Sequence, residues 1–211
     1  ESLPEPPAII GTECLIATWS RGSDGYRDRM PTIEVYADVC CPFTHVGLRR
    51  LVQRRDELGS TARLRVRAWP LELVNGTPMD PVFIAEEVDD IRAQVAPDLF
   101  AGFRQDAFPS SSLPALALAE AAYRMSDECG ERMSLALRDA LFEHGRDIGD
   151  PAVLAEIAAG LDVPAATADD EAAVRASWDT GRQRGVIGSP HFFTPAGGFF
   201  CPTLDIHRVE G

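Results

Sequence analysis

The sequence predicts an α/β fold whose sheet is interrupted by a block of helices. Three observations carry that expectation. Two short β-type runs, Ile33–Ala37 and Leu64–Trp69, flank one amphipathic segment. From Asp80 to Arg184 the apolar spacing is helical. A β pattern then returns at His191–Thr194 and Gly198–Cys201, around the turn residues Pro195, Ala196 and Gly197. The predicted order is β-α-β, several helices, then β-β-α.

Each element has a local cause. Ile33–Ala37 is short, apolar and rich in β-formers, as a buried strand requires. Asp38–Cys41 reads as a turn. Pro42 suits the first position of a helix, because its missing N–H is not needed there. Leu48, Leu51, Val52 and Leu58 mark one face of that helix, with Arg49, Arg50, Arg54 and Arg55 outside it, and Gly59 ends it. A strand, a helix and a strand in this length make a right-handed βαβ unit with parallel strands. Helices are predicted over Val82–Val95, Pro97–Phe108, Leu113–Met125, Glu131–Glu143, Pro151–Ala159 and Thr167–Arg184. Asp80-Pro81, Asp150-Pro151 and the serines before Leu113 supply starts; Gly160 and Gly185 supply stops. Thr203 caps a short final helix.

Residues 1–31 read as an N-terminal arm or extension, with Pro4, Pro6 and Pro7 first and a Gly- and Ser-containing loop after Trp19. Met30-Pro31 directly before the first strand leaves open a start at Met30. The division expected is 1–31 for the arm, 32–78 with 185–211 for the sheet-bearing domain, and 79–184 for the helical insertion.

The chain has 211 residues, 45% of them hydrophobic, enough for one domain with a large insertion. No apolar run approaches the ~20 residues of a membrane helix. Net charge is −13, and all 20 basic residues are arginine. Scattered arginine on an acidic chain lacks the clustered positive charge that nucleic acid or an anionic membrane demands. Arginine without lysine also indicates a GC-rich coding sequence. Five cysteines (Cys14, Cys40, Cys41, Cys129 and Cys201) are an odd number in a chain of this size, unlike a secreted disulfide scaffold. The cytoplasm is the expected compartment, although a chain beginning at Glu1 leaves room for a removed leader.

The chemistry concentrates in two segments. One is Asp38-Val39-Cys40-Cys41-Pro42-Phe43-Thr44-His45-Val46-Gly47, at a strand-to-helix junction. Amides at a helix start are unpaired and the helix dipole favours an anion there, so the thiol of Cys41 is expected to ionise more readily than a free one. The N–H groups of Phe43 and Thr44, with the Thr44 hydroxyl, are candidate donors to the sulfur. The competing reading is a buried structural cysteine. Cys40 is expected to point into the core, because side chains alternate along a strand. Cys41 and His45 lie four apart and can share a helix face, but two ligands do not make a metal site. His45 is expected to be a partly exposed helix residue. The other segment is Gly185-Val186-Ile187-Gly188-Ser189-Pro190-His191-Phe192-Phe193, entering a strand.

The first segment resembles the DsbA family, in particular its FrnE-like branch, whose pattern is Asp-Val-x-Cys-Pro-Trp-Cys-x-x-Gly. It is also similar to kappa-class glutathione transferases and hydroxychromene-carboxylate isomerases, which carry Ser-Pro-Tyr-Ser there. Trp69-Pro70-Leu71-Glu72-Leu73, Phe142-Glu143-His144-Gly145-Arg146-Asp147-Ile148 and Gly188-Ser189-Pro190 resemble further stretches of the same group, in order, across about residues 32–207. The resemblance implies a thioredoxin-like fold with a helical insertion and a cis peptide bond at Pro190. It implies catalytic roles for Cys41, Thr44 and Pro190, and substrate contacts from Pro42, Phe43, Ser189 and His45. Asn75 and Thr203 fall near positions that hold the cofactor peptide in kappa-type enzymes.

The sequence departs from the dithiol pattern at Thr44, where the second cysteine would stand. A dithiol enzyme frees itself from a mixed disulfide with that second thiol. Here either an outside thiol does so (glutathione, or mycothiol if the source is an actinobacterium) or the chain does no redox cycling. Three functions follow from the resemblance. One is a single-thiol oxidoreductase acting on disulfides. Another is a kappa-like transferase or isomerase with no covalently bound cofactor. The last is a non-catalytic binding module. The expected partner is a thiol or disulfide, protein or small molecule, with no nucleic acid and no membrane; a homodimer stays open.

Overall fold

The structure, a computed structural model, describes residues 32–194 and 197–200. Four strands form one mixed sheet: β1 (Thr32–Ala37), β2 (Arg63–Ala68), β3 (His191–Thr194) and β4 (Gly197–Phe200), in the order β2-β1-β3-β4. β1 and β2 run parallel with Val35 opposite Val66. β3 runs antiparallel to β1, with Phe192 opposite Val35, and β4 completes a hairpin. The helix between β1 and β2, α1 (Pro42–Glu57), has proline at its first position and buries Val46, Leu48 and Leu51.

Alternation along β1 separates two layers. Ile33, Val35 and Ala37 join Leu48 and Leu51 of α1, together with Phe192. Tyr36 points the other way, into a cluster with Trp69, Val186, Trp178 and Phe193. That second layer rests on the last long helix, α7 (Ala168–Gln183). Its Gly181 is required by contact: a Cβ there would stand 2.6 Å from Trp69 and 2.9 Å from Tyr36.

Between β2 and β3 lie α2 (Leu71–Asn75), α3 (Pro81–Gln94), a 3-10 turn (Gln105–Ala107), α4 (Leu113–Met125), α5 (Asp127–Phe142), α6 (Pro151–Gly160) and α7. Asp80 and Asp150 cap α3 and α6 by accepting the N–H of Val82 and Ala152. The insertion also covers the free edge of β2. The Tyr123 hydroxyl accepts the N–H of Val66 at 2.8 Å, and the Glu131 carboxylate accepts that of Leu64 at 3.1 Å. An edge strand paired in this way offers no template for another chain. Among the described residues no helix is long and apolar enough to cross a membrane.

Three expectations are corrected. Pro97–Phe108 is not a helix: Phe100 has φ 65° and is fully buried. The carboxylate of Glu143 takes the N–H groups of Phe100 and Ala101, which a helix would have paired internally. Gly102 passes so close to Glu143 that a Cβ would lie 2.1 Å from its carbonyl oxygen. Second, α5 starts at Asp127 rather than Glu131, because Ser126 accepts the N–H of Cys129 and sets the cap earlier. Third, the short helix α2 was not foreseen. The arm, the final helix, Met30, Cys14 and Cys201 lie outside the described residues.

Candidate functional site

The site is built on the turn that joins β1 to α1. Asp38 is fully buried, and its carboxylate organises three segments at once. It accepts the N–H of Cys40 at 2.8 Å, the N–H of Leu71 at 2.6 Å and the hydroxyl of Ser112 at 3.1 Å. Burial pushes this carboxyl up from its ordinary value, against those hydrogen bonds and the charge of Arg138. Glu72 on α2 acts in parallel at the start of α4, accepting the N–H groups of Ser112 and Leu113, both at 3.1 Å. The sequence assigned that cap to the serines; Ser111 accepts from Leu113 as well.

Cys41 is the N-cap of α1, in extended conformation. Its sulfur donates to the carbonyl oxygen of Ser189 at 3.3 Å. The Ser189–Pro190 peptide bond is cis. The Ser189 hydroxyl accepts the N–H of Asp38 at 2.9 Å and shares a second hydrogen bond, also 2.9 Å, with the hydroxyl of Thr44. Two segments some 150 residues apart are thus joined around one sulfur. Cys41 is 3% exposed. That covering changes the expected electrostatics: burial is the largest influence and raises the thiol above its ordinary value. Thr44 and Ser189 favour the anion but do not outweigh it, while Asp38 adds a negative charge. The expectation of a readily ionised thiol is therefore corrected for this closed arrangement.

Cys40 faces elsewhere. It borders a cavity of about 10 Å³ with Asp38, Glu72, Ser111 and Ser112, room for roughly one water. Burial and the neighbouring Asp38 push its thiol well up.

A DSBA-like thioredoxin domain model matches residues 32–210. The chain belongs to this DSBA-like thioredoxin family. No curated protein sequence matches it. Solved structures match its fold at low identity. One is a Nitrosomonas europaea protein described as a protein disulfide isomerase, at 15% identity and TM-score 0.64, covering 81% of this chain and 88% of that one. Another is the cytosolic disulfide reductase DsbM from Pseudomonas aeruginosa, at 18% and 0.59, covering 76% and 83%; it has also been solved with GSH. A third is a 2-hydroxychromene-2-carboxylate isomerase, at 13% and 0.63, covering 80% and 88%.

Within this DSBA-like domain the predicted site residues divide. Cys41, Thr44, Ser189 and Pro190 come together, and Thr44 is fully buried beside Ser189. Pro42 is buried at the helix start, next to Cys41. Phe43 is half-buried and packs on the core of the insertion. His45 is corrected: it is 1% exposed, not a partly exposed residue facing a substrate. Its ring packs against those of Phe100 and Phe142, which also touch each other, and Nε2 pairs with Glu143 at 2.6 Å. Asn75 is exposed at the end of α2, before Gly76 with φ 73°, and none of the hydrogen bonds around Cys41 involves it. Thr203 lies outside the described residues.

Sequence reasoning missed Glu72, Ser112, Arg138 and Glu143. Glu72 and Glu143 stood inside the segments that carried the resemblance, but nothing in their spacing shows which amides they serve. Arg138 reads as one more arginine on a helix, whereas it is 1% exposed behind the site.

Proposed function

We propose that this protein is a thiol–disulfide oxidoreductase that works through Cys41 alone, on mixed disulfides between a protein or small molecule and a low-molecular-weight thiol. The observation that carries the reading is the position of the Cys41 sulfur, 3.3 Å from the carbonyl oxygen that precedes the cis proline, with a threonine where a second thiol would stand.

In the first half-reaction Cys41 attacks one sulfur of R–S–S–R′. The Cys41–S–S–R bond forms, the S–S bond of the substrate breaks, and the proton of Cys41 ends on the leaving R′ thiol. In the second, a small thiol attacks the R sulfur. It supplies two electrons and a proton, regenerates the Cys41 thiol and leaves as a disulfide with R. Glutathione or mycothiol fills that role. Cys40 does not, because its thiol faces the cavity beside Asp38 and its neighbouring Cα is ~3.8 Å away, shorter than a disulfide ordinarily spans. Thr44 and Ser189 favour the thiolate in the first step. Pro190 shapes the surface against which R lies. A reducing compartment such as the cytoplasm suits the chemistry, since the resolving thiol is kept reduced there.

The test is release of a glutathionylated peptide by the protein with glutathione, before and after Cys41→Ser. Loss of release, together with a glutathione adduct on Cys41 by mass spectrometry, is the expected result. Equal rates would remove Cys41 from the mechanism. Conjugation of an electrophile by glutathione without any peptide release would place the chain with the transferases instead.

A further inference from the structure

Arg138 is the largest side chain among those fully buried, at 1% exposed. Two residues that follow it fasten this stretch to α1: Asp139 of α5 pairs with Arg49, and Glu143, at the end of that helix, with His45. That pairing sets Arg138 directly behind the turn of Asp38–Cys41. Its guanidinium forks. Nη1 donates to the carbonyl and hydroxyl oxygens of Ser134, at 2.8 and 2.7 Å, and Nη2 donates to the carbonyl oxygen of Asp38 at 3.1 Å. Nε has no partner. Among the described residues it makes no ion pair, so a full positive charge is buried with a peptide carbonyl as its contact in the site. A buried cation held in this way is costly unless something nearby is stabilised by it.

The peptide it grips is the one that orders the site. The Asp38 carbonyl also accepts the N–H of Cys41, at 3.5 Å, while the Asp38 N–H holds the hydroxyl of Ser189. We infer that Arg138 is the positioning residue for Cys41: it fixes the Asp38 peptide that presents the sulfur to Ser189, and it sets a positive charge behind the turn to offset the Asp38 carboxylate. The charged and titratable groups facing it are Asp38 from the turn, Tyr123 from α4, and Cys40 and Cys41. Without Arg138 the Asp38 carboxylate keeps its hydrogen bonds but loses the neighbouring positive charge, and forming a thiolate beside it becomes harder.

The inference rests on Cys41 as the nucleophile, but its test reads ionisation and not turnover, so the two can fail separately. The measurement is the iodoacetamide alkylation rate of Cys41 against pH, with the site assigned by mass spectrometry, in the full chain and in Arg138→Gln and Arg138→Lys. Arg138→Gln is expected to slow alkylation at pH 8 about tenfold and to move the profile up by about one pH unit, the two being equivalent. Arg138→Lys keeps the charge and is expected to recover most of the shift. An Arg138→Gln profile that superimposes on the unmodified one overturns the inference. So does a lysine variant no closer to the unmodified protein than the glutamine one. Should Arg138→Gln not fold, Asp38→Asn is compared with Asp38→Asn/Arg138→Gln, in which no buried charge is left without its counterpart: the double variant is expected to titrate higher than the single one. A double-variant profile that superimposes on that of Asp38→Asn overturns the inference.

Discussion

Ser189 meets Asp38 through its hydroxyl and Cys41 through its carbonyl, so one residue of the cis-proline loop holds both ends of the Asp38–Cys41 turn. The hydroxyl accepts the Asp38 N–H at 2.9 Å and is bonded to Thr44 as well. Ser189→Ala leaves that N–H without its acceptor at a largely covered position. An orphaned buried donor costs about 1–3 kcal/mol. The urea midpoint is expected to fall accordingly, and the alkylation rate of Cys41 to change with it. An unchanged midpoint would show that the loop is not fastened through this hydroxyl.

Alkaline pH is expected to destabilise the protein through its buried thiols. Burial raises Cys40 well above, and Cys41 above, the ordinary thiol value. The unfolded chain therefore releases these protons first, beginning near pH ~8.5. The stability they contribute is complete below that pH and is lost as pH rises toward the folded-state values. Urea midpoints at pH 7.5 and 9.5 measure the loss, and Cys40→Ser is expected to reduce it. Equal losses in both proteins would exclude Cys40 as the source.

His45 gives the opposite dependence at acid pH. Burial is the largest influence and holds its imidazole below the ordinary histidine value, against the pull of Glu143. A depressed value means that the folded state prefers the neutral ring. Its contribution is present above pH ~6.5 and is lost as pH falls below it. Glu143→Gln removes a carboxylate that serves His45, Phe100 and Ala101 together. One amide oxygen cannot replace two, and the expected cost is about 1–3 kcal/mol, read from thermal or urea unfolding. A midpoint within error of the unmodified protein would contradict that sharing.

The parts of the site visible in sequence were those with a local cause. Pro42 after Cys41 marks a helix start by its missing N–H, and the short, apolar, β-rich run Ile33–Ala37 marks a buried strand. The cis bond at Pro190 had no such cause; only the resemblance implied it. Pro97–Phe108 misled because its composition permits a helix, while the carboxylate of Glu143, more than 40 residues away, claims its amides. The same distance hid His45, whose partner and aromatic box come from the insertion. Arg138 was illegible for the same reason: only tertiary packing reveals which arginine loses its water. Burial of the Cys41 sulfur reversed an electrostatic expectation that was sound for a helix terminus open to solvent.

Thr44→Cys tests the single-thiol reading from the other side. Thr44 occupies the third position of α1 and lies fully buried next to Ser189, on the side of the turn that Cys41 faces. A thiol there restores the spacing of a self-resolving pair, so a mixed disulfide at Cys41 can be displaced from within. In the unmodified protein a glutathione adduct on Cys41 is expected to persist until a second thiol is added. In Thr44→Cys it is expected to disappear without added thiol, leaving a protein two hydrogens lighter by mass spectrometry than its dithiol form. The burial of position 44 adds a condition: serine and cysteine are close in size, so Thr44→Ser controls for lost packing and is expected to leave the adduct stable. Spontaneous loss of the adduct from the unmodified protein would show that another thiol already resolves it. That thiol would be Cys40, Cys129 or a cysteine outside the described residues.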